Sequence, residues 1–395
     1  MKFKKRYAAV VAVALTGAAV AILPMATSNA ATACAPAWSA SQVYVGGNTA
    51  SQSGHNYRAK WWTQNESPAT HSGQWDVWAD QGACGGTTPP TTPPTTGPTP
   101  PPSKGTKMAA APYIYPGWGN PPPPSTVMNA TGVKAFTIAF VLANGCNPVW
   151  DGEGGLTGGA HASTINAIRA AGGDVVPSFG GWSGNKLGPN CATPDLLAGA
   201  YQKVIDAFAL KAIDIDIENT DEFENPTVQD RIVGALKIIK QRNPSVKTIL
   251  TFGTTPNGPS PTGVRLINQA KALGANVDIF AQMPFDFGGG ADMYASTVGA
   301  SEGLKNQLKT TFGYTDAQAY SHMGISGMNG LSDQQEVTSP QTWTRIRDYA
   351  KSKGFARFTF WAVNRDRGCP GGGVVSTCSG IAQPDWEFTR ISAGF

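Results

Sequence analysis

The chain has 395 residues, with 30 lysines and arginines against 26 aspartates and glutamates, a formal net charge of +4. Charged residues make up only 14% of it and apolar ones 41%. No basic block argues for nucleic acid and no acidic tail for disorder, and the length suits a barrel plus a small module.

Residues 1–30, MKFKKRYAAVVAVALTGAAVAILPMATSNA, run from a basic start through an apolar stretch to small residues ending at Ala30. This is the layout of a secretory signal peptide, so the mature protein is expected to be secreted and extracellular. A membrane anchor is the alternative, but Thr16 and Gly17 interrupt the apolar run and Pro24 ends it. No later segment is long and apolar enough to span a bilayer. Six cysteines fit an oxidising compartment. Their order suggests the pairs 34–84, 146–191 and 369–378, each within one region, although sequence alone does not choose a connectivity. No CxxC and no histidine spacing points to a metal, and no cofactor is expected.

Residues 31–84 are too few to bury much core, and they are crowded with aromatic rings. Trp38, Tyr57 and Trp78 are expected in the core. Trp61 and Trp62 are adjacent on a strand-like NYRAKWWTQ, so they point to opposite faces and at least one is exposed. An exposed flat ring stacks well on the apolar face of a pyranose, which makes this pair the candidate binding surface. The stretch from AWSASQVYVGGN to WDVWADQGAC resembles a chitin-binding module of carbohydrate-binding family 5/12. The resemblance implies a small antiparallel β fold that adheres to chitin through surface aromatics. Residues 85–106, rich in proline and threonine, read as an extended, semi-rigid linker.

Residues 107–395 alternate strand-like and helix-like stretches. Strands are expected at 112–115, 134–141, 173–178, 212–218, 247–252, 277–283, 321–325 and 357–363. Helices are expected at 162–171, 194–209, 226–242, 262–273, 299–312 and 340–353. Eight strands with helices between them predict an α/β domain, a (β/α)8 TIM barrel. An open doubly wound sheet is the runner-up, but YIYPGWG after the first strand is no phosphate-binding loop.

The fourth strand carries AIDIDIENTD. Alternation puts Asp214, Asp216 and Glu218 on one face and Ile213, Ile215 and Ile217 on the other. The isoleucines suit the helix layer. The acids then look into the lumen, stepped roughly 6–7 Å apart, with Glu218 at the C-terminal rim where such barrels do chemistry. Like charges at that spacing retain a proton, which is the condition for an acid catalyst near neutral pH. Glu218 is the expected donor, Asp216 its partner, and Asp214 the deepest member, holding or sharing a proton. A buried structural acid cluster is the competing reading.

IDIDIE matches the DxDxE core of glycoside hydrolase family 18, the chitinases. PSFGGWSG resembles that family's SxGG motif through Ser178, Gly180 and Gly181, with Ser178 an expected substrate-binding position. AQMPFDFG resembles its sixth-strand motif, with Gln282, Met283, Phe285 and Asp286 as expected substrate-binding positions. FTFWAVNRD supplies Trp361, where the family places a tryptophan beneath the sugar. The resemblance implies retaining hydrolysis of β-1,4 bonds in chitin and chito-oligosaccharides, assisted by the substrate's own acetamide, with no enzyme nucleophile, metal or cofactor. A monomer with no nucleic-acid or membrane partner is expected.

Two departures stand out. Lys211 and Ala212 replace the usual Asp-Gly ahead of the acid core; a position so low in the barrel affects packing rather than chemistry. Many members carry a tyrosine in the sixth-strand motif where this chain has Phe285, and Phe287 brings no hydroxyl either. Gln282 is the nearby amide available as a replacement donor, although its neighbouring place on the strand can turn it to the other face. The missing hydroxyl leaves two other functions open: a non-catalytic chitin-binding protein of the same fold, or an endo-acting enzyme on other N-acetylglucosamine polymers.

Overall fold

The structure is a computed structural model that describes residues 32–85 and 107–395, apart from Ser41, Trp62, Gln74, Trp75 and Glu153. The expected signal peptide, nearly all of the expected linker, and Trp62 of the expected binding pair lie outside the described residues. The described residues fall into two compact units, one N-terminal and one C-terminal.

The N-terminal unit is an antiparallel β fold. Thr49–Gln52, His55–Ala59 and Trp78–Ala83 form a three-stranded sheet, and Val43–Tyr44 pairs with Thr63–Gln64. Ser53 and Gly54 both take positive φ at the first hairpin, the geometry a two-residue turn needs to follow the strand twist. Tyr44, Ala50, Tyr57, Ala59 and Trp78 make a small core, with Trp38 packed at its edge. Trp78 Nε1 donates to the Glu66 carbonyl, which satisfies the one polar atom of a fully buried indole. The Cys34–Cys84 bridge ties the ends of the unit together.

The C-terminal unit is a parallel eight-stranded barrel. Its strands are β1 (Tyr113–Ile114), β2 (Ala135–Asn144), β3 (Asp174–Gly180), β4 (Ala212–Ile217), β5 (Lys247–Gly253), β6 (Ile279–Met283), β7 (Met323–Met328) and β8 (Arg357–Trp361). Each pairs with the next in chain order. Closure comes from the segment before β1, where Met108 N donates to Ala356 O and Ala111 N to Phe358 O. Around the sheet lie α1 (Pro124–Thr131), α2 (Gly159–Ala170), α3 (Pro194–Phe208), α4 (Pro226–Arg242), α5 (Pro261–Leu273), α6 (Met293–Phe312), α7 (Pro340–Lys353) and α8 (Glu387–Ala393).

Helix starts follow local chemistry. Helices α3, α4, α5 and α7 open with proline preceded by Thr193, Asn225, Ser260 or Ser339, whose side chains accept from the backbone of Leu196, Val228, Gly263 and Thr342. Proline loses nothing at the first helical position, and the cap satisfies a donor the helix leaves orphaned.

Every expected strand and helix is present, shifted by a few residues at most ends and starting six residues earlier in α6. The expectation missed α1 and α8. It also missed the strand Asn147–Trp150, which folds back antiparallel on β2, and a small hairpin of Gly330–Leu331 with Val337–Thr338. The bridges Cys146–Cys191 and Cys369–Cys378 complete the pairing that chain order suggested.

Candidate active site

Strand β4 sets the site. Ile213, Ile215 and Ile217 pack into the large core between sheet and helices, so the acids between them face the lumen. The lumen floor is apolar, made of Val176, Ala212, Ile249, Ile279, Ala281 and Ala356. Lys211 stands below it on the outside and bridges Asp174 of β3 at 2.7 Å. The first departure from the family pattern is therefore accommodated at the barrel's base.

Asp214, fully buried, sits one step above the floor. Tyr113 and Ser178 donate their hydroxyls to its Oδ2 at 2.7 Å each, and Thr251 donates to its Oδ1 at 2.6 Å. Arg357 lies 3.8 Å from Oδ1. With three hydroxyl donors and a guanidinium around it, Asp214 acts as an acceptor. The deepest acid of the stack is thus held by side chains from three other strands.

Asp216 is 4% exposed, and its Oδ1 has no hydrogen-bond partner among the described residues. Burial raises its pKa well above the ordinary carboxyl value, with Glu218 and Asp214 adding to the effect and Lys186 opposing it. Glu218 follows the last residue of β4 and is partly exposed at the rim. Burial pushes its carboxyl up to about 7; Lys186 pulls it down, while Asp286 and Asp333 raise it further. One stack thus holds a fixed acceptor, an acid with an oxygen to spare, and an outermost carboxyl that exchanges its proton near neutrality.

The glycines after Ser178 give this stack room. A Cβ on Gly180 would collide with the Asp216 carbonyl, and one on Gly181 would lie 2.9 Å from the Phe140 ring. Both glycines have positive φ. Ser178 itself does not reach the cleft: its hydroxyl is buried beneath the rim on Asp214. Its expected place among the substrate-binding residues is corrected to support of the lowest acid.

On β6 the strand period separates the expected residues. Ile279 and Ala281 face the lumen floor, which puts Met283 on the same side. Gln282 points the other way, fully buried, with Nε2 3.4 Å from Ser301 Oγ of α6. Its amide is not brought to the acids and does not replace the missing phenol, a second correction. Phe285 is half-buried just past the strand. Asp286 is exposed, in a left-handed conformation, and its N–H donates to Glu336 Oε1 at 2.5 Å. Glu336 also accepts from Gly288 N, so the unforeseen hairpin after β7 holds the loop that presents Asp286.

Trp361 ends β8 half-buried at the rim. Its indole stacks on Phe140 with ring centres 5.6 Å apart and planes 16° apart, flanked by Tyr113 and Tyr115. Burial, with the neighbouring Asp151, raises the Tyr115 hydroxyl pKa well above its ordinary value. Trp118 and Trp182 are 58% and 67% exposed on segments after β1 and β3. In the N-terminal unit Trp61 is 48% exposed, whereas Tyr57 and Trp78 are buried, as their places in the strand pattern required.

The family model of carbohydrate-binding module family 5/12 matches residues 37–79. A probable bifunctional chitinase/lysozyme of Escherichia coli is 29% identical over 311 residues, covering 73% of this chain and 34% of that protein. Endochitinase 11 of Metarhizium anisopliae is 28% identical over 275 residues, covering 66% of this chain and 53% of that one. The chain thus spans about a third and about half of these two relatives. The catalytic domain of a hyperthermophilic chitinase from Pyrococcus furiosus superposes with a TM-score of 0.67 at 27% identity, covering 73% of this chain and 94% of that domain. Residues 37–79 thus match a family 5/12 carbohydrate-binding module, and the barrel is similar to the catalytic domains of chitinases.

Several parts of this site were not singled out in the sequence. Tyr113, Thr251 and Lys186 are isolated polar residues in strands or loops, and only the fold brings them to the acids. Tyr113 and Tyr115 alternate in YIY as the acids do in IDIDIE, a signal that was present in the pattern. Glu222 lies four residues beyond Glu218 and is 2% exposed. Its Oε2 has no hydrogen-bond partner among the described residues. Burial raises its carboxyl to about 8, against the pull of Lys186.

Proposed function

We propose that the protein is a secreted chitinase. It hydrolyses β-1,4 bonds between N-acetylglucosamine units of chitin and chito-oligosaccharides with retention at the anomeric carbon. The observation that carries this reading is the partnerless Oδ1 of Asp216 beneath a Glu218 carboxyl raised to about 7. A buried acid with an unused oxygen is costly unless a ligand completes it, and a substrate acetamide N–H is a donor of the right kind.

In the first step the acetamide oxygen of the sugar attacks its own anomeric carbon. Glu218 gives its proton to the leaving glycosidic oxygen as that bond breaks. Asp216 orients the acetamide N–H and offsets the positive charge that develops on the oxazolinium ring. In the second step the Glu218 carboxylate takes a proton from water, whose oxygen attacks the anomeric carbon and reopens the ring. The neighbouring acetamide supplies the advantage of an intramolecular reaction, so no enzyme nucleophile is needed. Trp361 forms the floor beneath the reacting sugar. Met283, Phe285 and Asp286 border it.

In this reading the signal peptide directs export, the N-terminal module adheres to insoluble chitin through Trp61 and Trp62, and the linker tethers the barrel to its substrate. The chitinases among the similar proteins support the substrate class. The test is turnover of chitin oligosaccharides by the wild-type protein and by Glu218→Gln, with the anomer of the first product followed by proton NMR. Loss of turnover in the variant and a β-anomeric product are expected. An α-anomeric first product, or turnover untouched by the substitution, would remove the mechanism. Oligosaccharide binding without any wild-type turnover would make the protein a lectin.

A further inference from the structure

Burying an ammonium is expensive unless anions and acceptors surround it. Lys186 is 1% exposed, on the segment between β3 and the helical turn Leu187–Asn190. Its Nζ donates to the main-chain carbonyl of Glu218 at 3.0 Å and to Asp221 Oδ1 at 3.0 Å. A lysine serving only to hold the fold needs the carboxylate; this one spends a second donor on the backbone of the outermost acid.

The segment that carries Lys186 is itself fixed. Ala143 N donates to Asn185 O at 2.7 Å, Asn185 Nδ2 donates back to Ala143 O, and Asn190 Nδ2 donates to Lys186 O. Cys191, next along the chain, is bridged to Cys146. The turn that follows Glu218 is held from other sides as well, by Asn219 Nδ2 on Trp182 O and by Gln229 Nε2 on Phe223 O.

We propose that Lys186 is a positioning residue for Glu218, pinning the main chain of the acid and setting through its charge how readily the acid gives up its proton. The inference rests on the glycosidase reading above. The groups that face Glu218 are nearly all acidic. Asp216 lies beneath it on β4 and Glu222 behind it, while Asp286 after β6 and Asp333 on the hairpin after β7 approach from the rim. Arg357 stands lower, at Asp214. Arg365 lies toward Asp333 and Asp286. Lys186 is the cation that acts on Asp216, Glu218 and Glu222 alike. Without it, Glu218 would hold its proton too tightly to release it in the first step and to serve as a base in the second.

The experiment compares Lys186→Met, Lys186→Arg and Asp221→Asn with the wild type. The readouts are the pH profile of kcat/KM on a soluble chitin oligosaccharide and the titration of the Glu218 carboxyl by NMR of 13Cδ-glutamate protein, assigned with Glu218→Gln. Removing the cation is expected to move the alkaline limb and the Glu218 titration upward by about one pH unit. Lys186→Arg should keep both close to wild type. Asp221→Asn changes an exposed partner and should fold even if Lys186→Met does not; it should move both downward, because it removes the charge that offsets the ammonium. A limb and titration unmoved in Lys186→Met and Asp221→Asn, with only overall activity or melting temperature lowered, would reduce Lys186 to a structural lysine. The NMR titration does not need turnover, so it tests the inference even if the chitinase reading fails.

Discussion

Tyr113 reaches across the lumen from the first barrel strand and donates its hydroxyl to Asp214 Oδ2 at 2.7 Å. Ser178 and Thr251 complete the set from the strands on either side of β4. The lowest acid is therefore anchored to three strands, and the two above it inherit a fixed baseline. Removing one donor leaves a buried carboxyl oxygen short of a partner, which costs about 1–3 kcal/mol. Tyr113→Phe is expected to lower unfolding stability by that amount in urea titrations. Its effect on kcat should exceed its effect on KM, because the ring still fills its place beside Trp361.

Glu218 carries the pH dependence of the proposed reaction. Its carboxyl must be protonated for the first step, and burial places it at about 7, so kcat/KM is expected to fall on the alkaline side from near that value. Asp286 is among the groups that raise it. Asp286→Asn removes a negative charge, makes the Glu218 carboxylate easier to form, and should move the alkaline limb to lower pH. A pH profile on a soluble oligosaccharide decides this. A limb that moves upward, or stays in place, would detach Asp286 from the acid.

Glu222 links the same acids to stability. Its carboxyl is raised from an ordinary 4.5 to about 8, chiefly by burial. Between those values the folded protein keeps a proton that the unfolded chain has lost. The unfolded state then binds fewer protons, and stability falls as pH rises. The contribution is complete below 4.5 and is lost as pH rises through 8, with a slope of at most about 1.4 kcal/mol per pH unit for one proton. Glu222→Gln is expected to flatten the decline between pH 5 and 8 in denaturant titrations run across that range. An unchanged slope would show that Glu222 is not the group responsible.

Most of the barrel was legible because its signals are local. Proline after Thr193, Asn225, Ser260 and Ser339 marks helix starts within a residue, and alternation in IDIDIE fixes both faces of β4. Alternation also decides against Gln282, since two adjacent residues, Gln282 and Met283, cannot share a strand face. What stayed hidden depends on contacts across the lumen. Nothing near Lys186 in sequence announces that its ammonium will lie on the carbonyl of Glu218, 32 residues away. The hairpin that carries Asp333 and Glu336 was missed for another reason: its strands have two residues each, too short for any period to show. Trp361 lay between these cases. Its place at a strand end was readable, but its stacking on Phe140 needed the closed barrel.

The N-terminal unit gives the last prediction. Trp61 keeps 48% of its surface exposed in a module that buries Trp78 completely, so its ring is not required to hold the small core. Lys60 lies 5.9 Å from the centre of that ring, which leaves the indole as a surface feature beside a cation. An indole that is only a surface accident should be replaceable without consequence on any substrate. One that anchors the enzyme should matter where the substrate is insoluble and tethering raises the local concentration of bonds to be cut. Trp61→Ala is expected to reduce retention on chitin particles about tenfold or more, equivalent to about 1.4 kcal/mol. It should slow the digestion of those particles and leave kcat/KM on soluble oligosaccharides unchanged. Sedimentation with chitin and parallel assays on the two substrates measure both effects. Equal losses on soluble and insoluble substrates would mean that the substitution damages the protein as a whole. Unchanged retention would move the binding face away from Trp61.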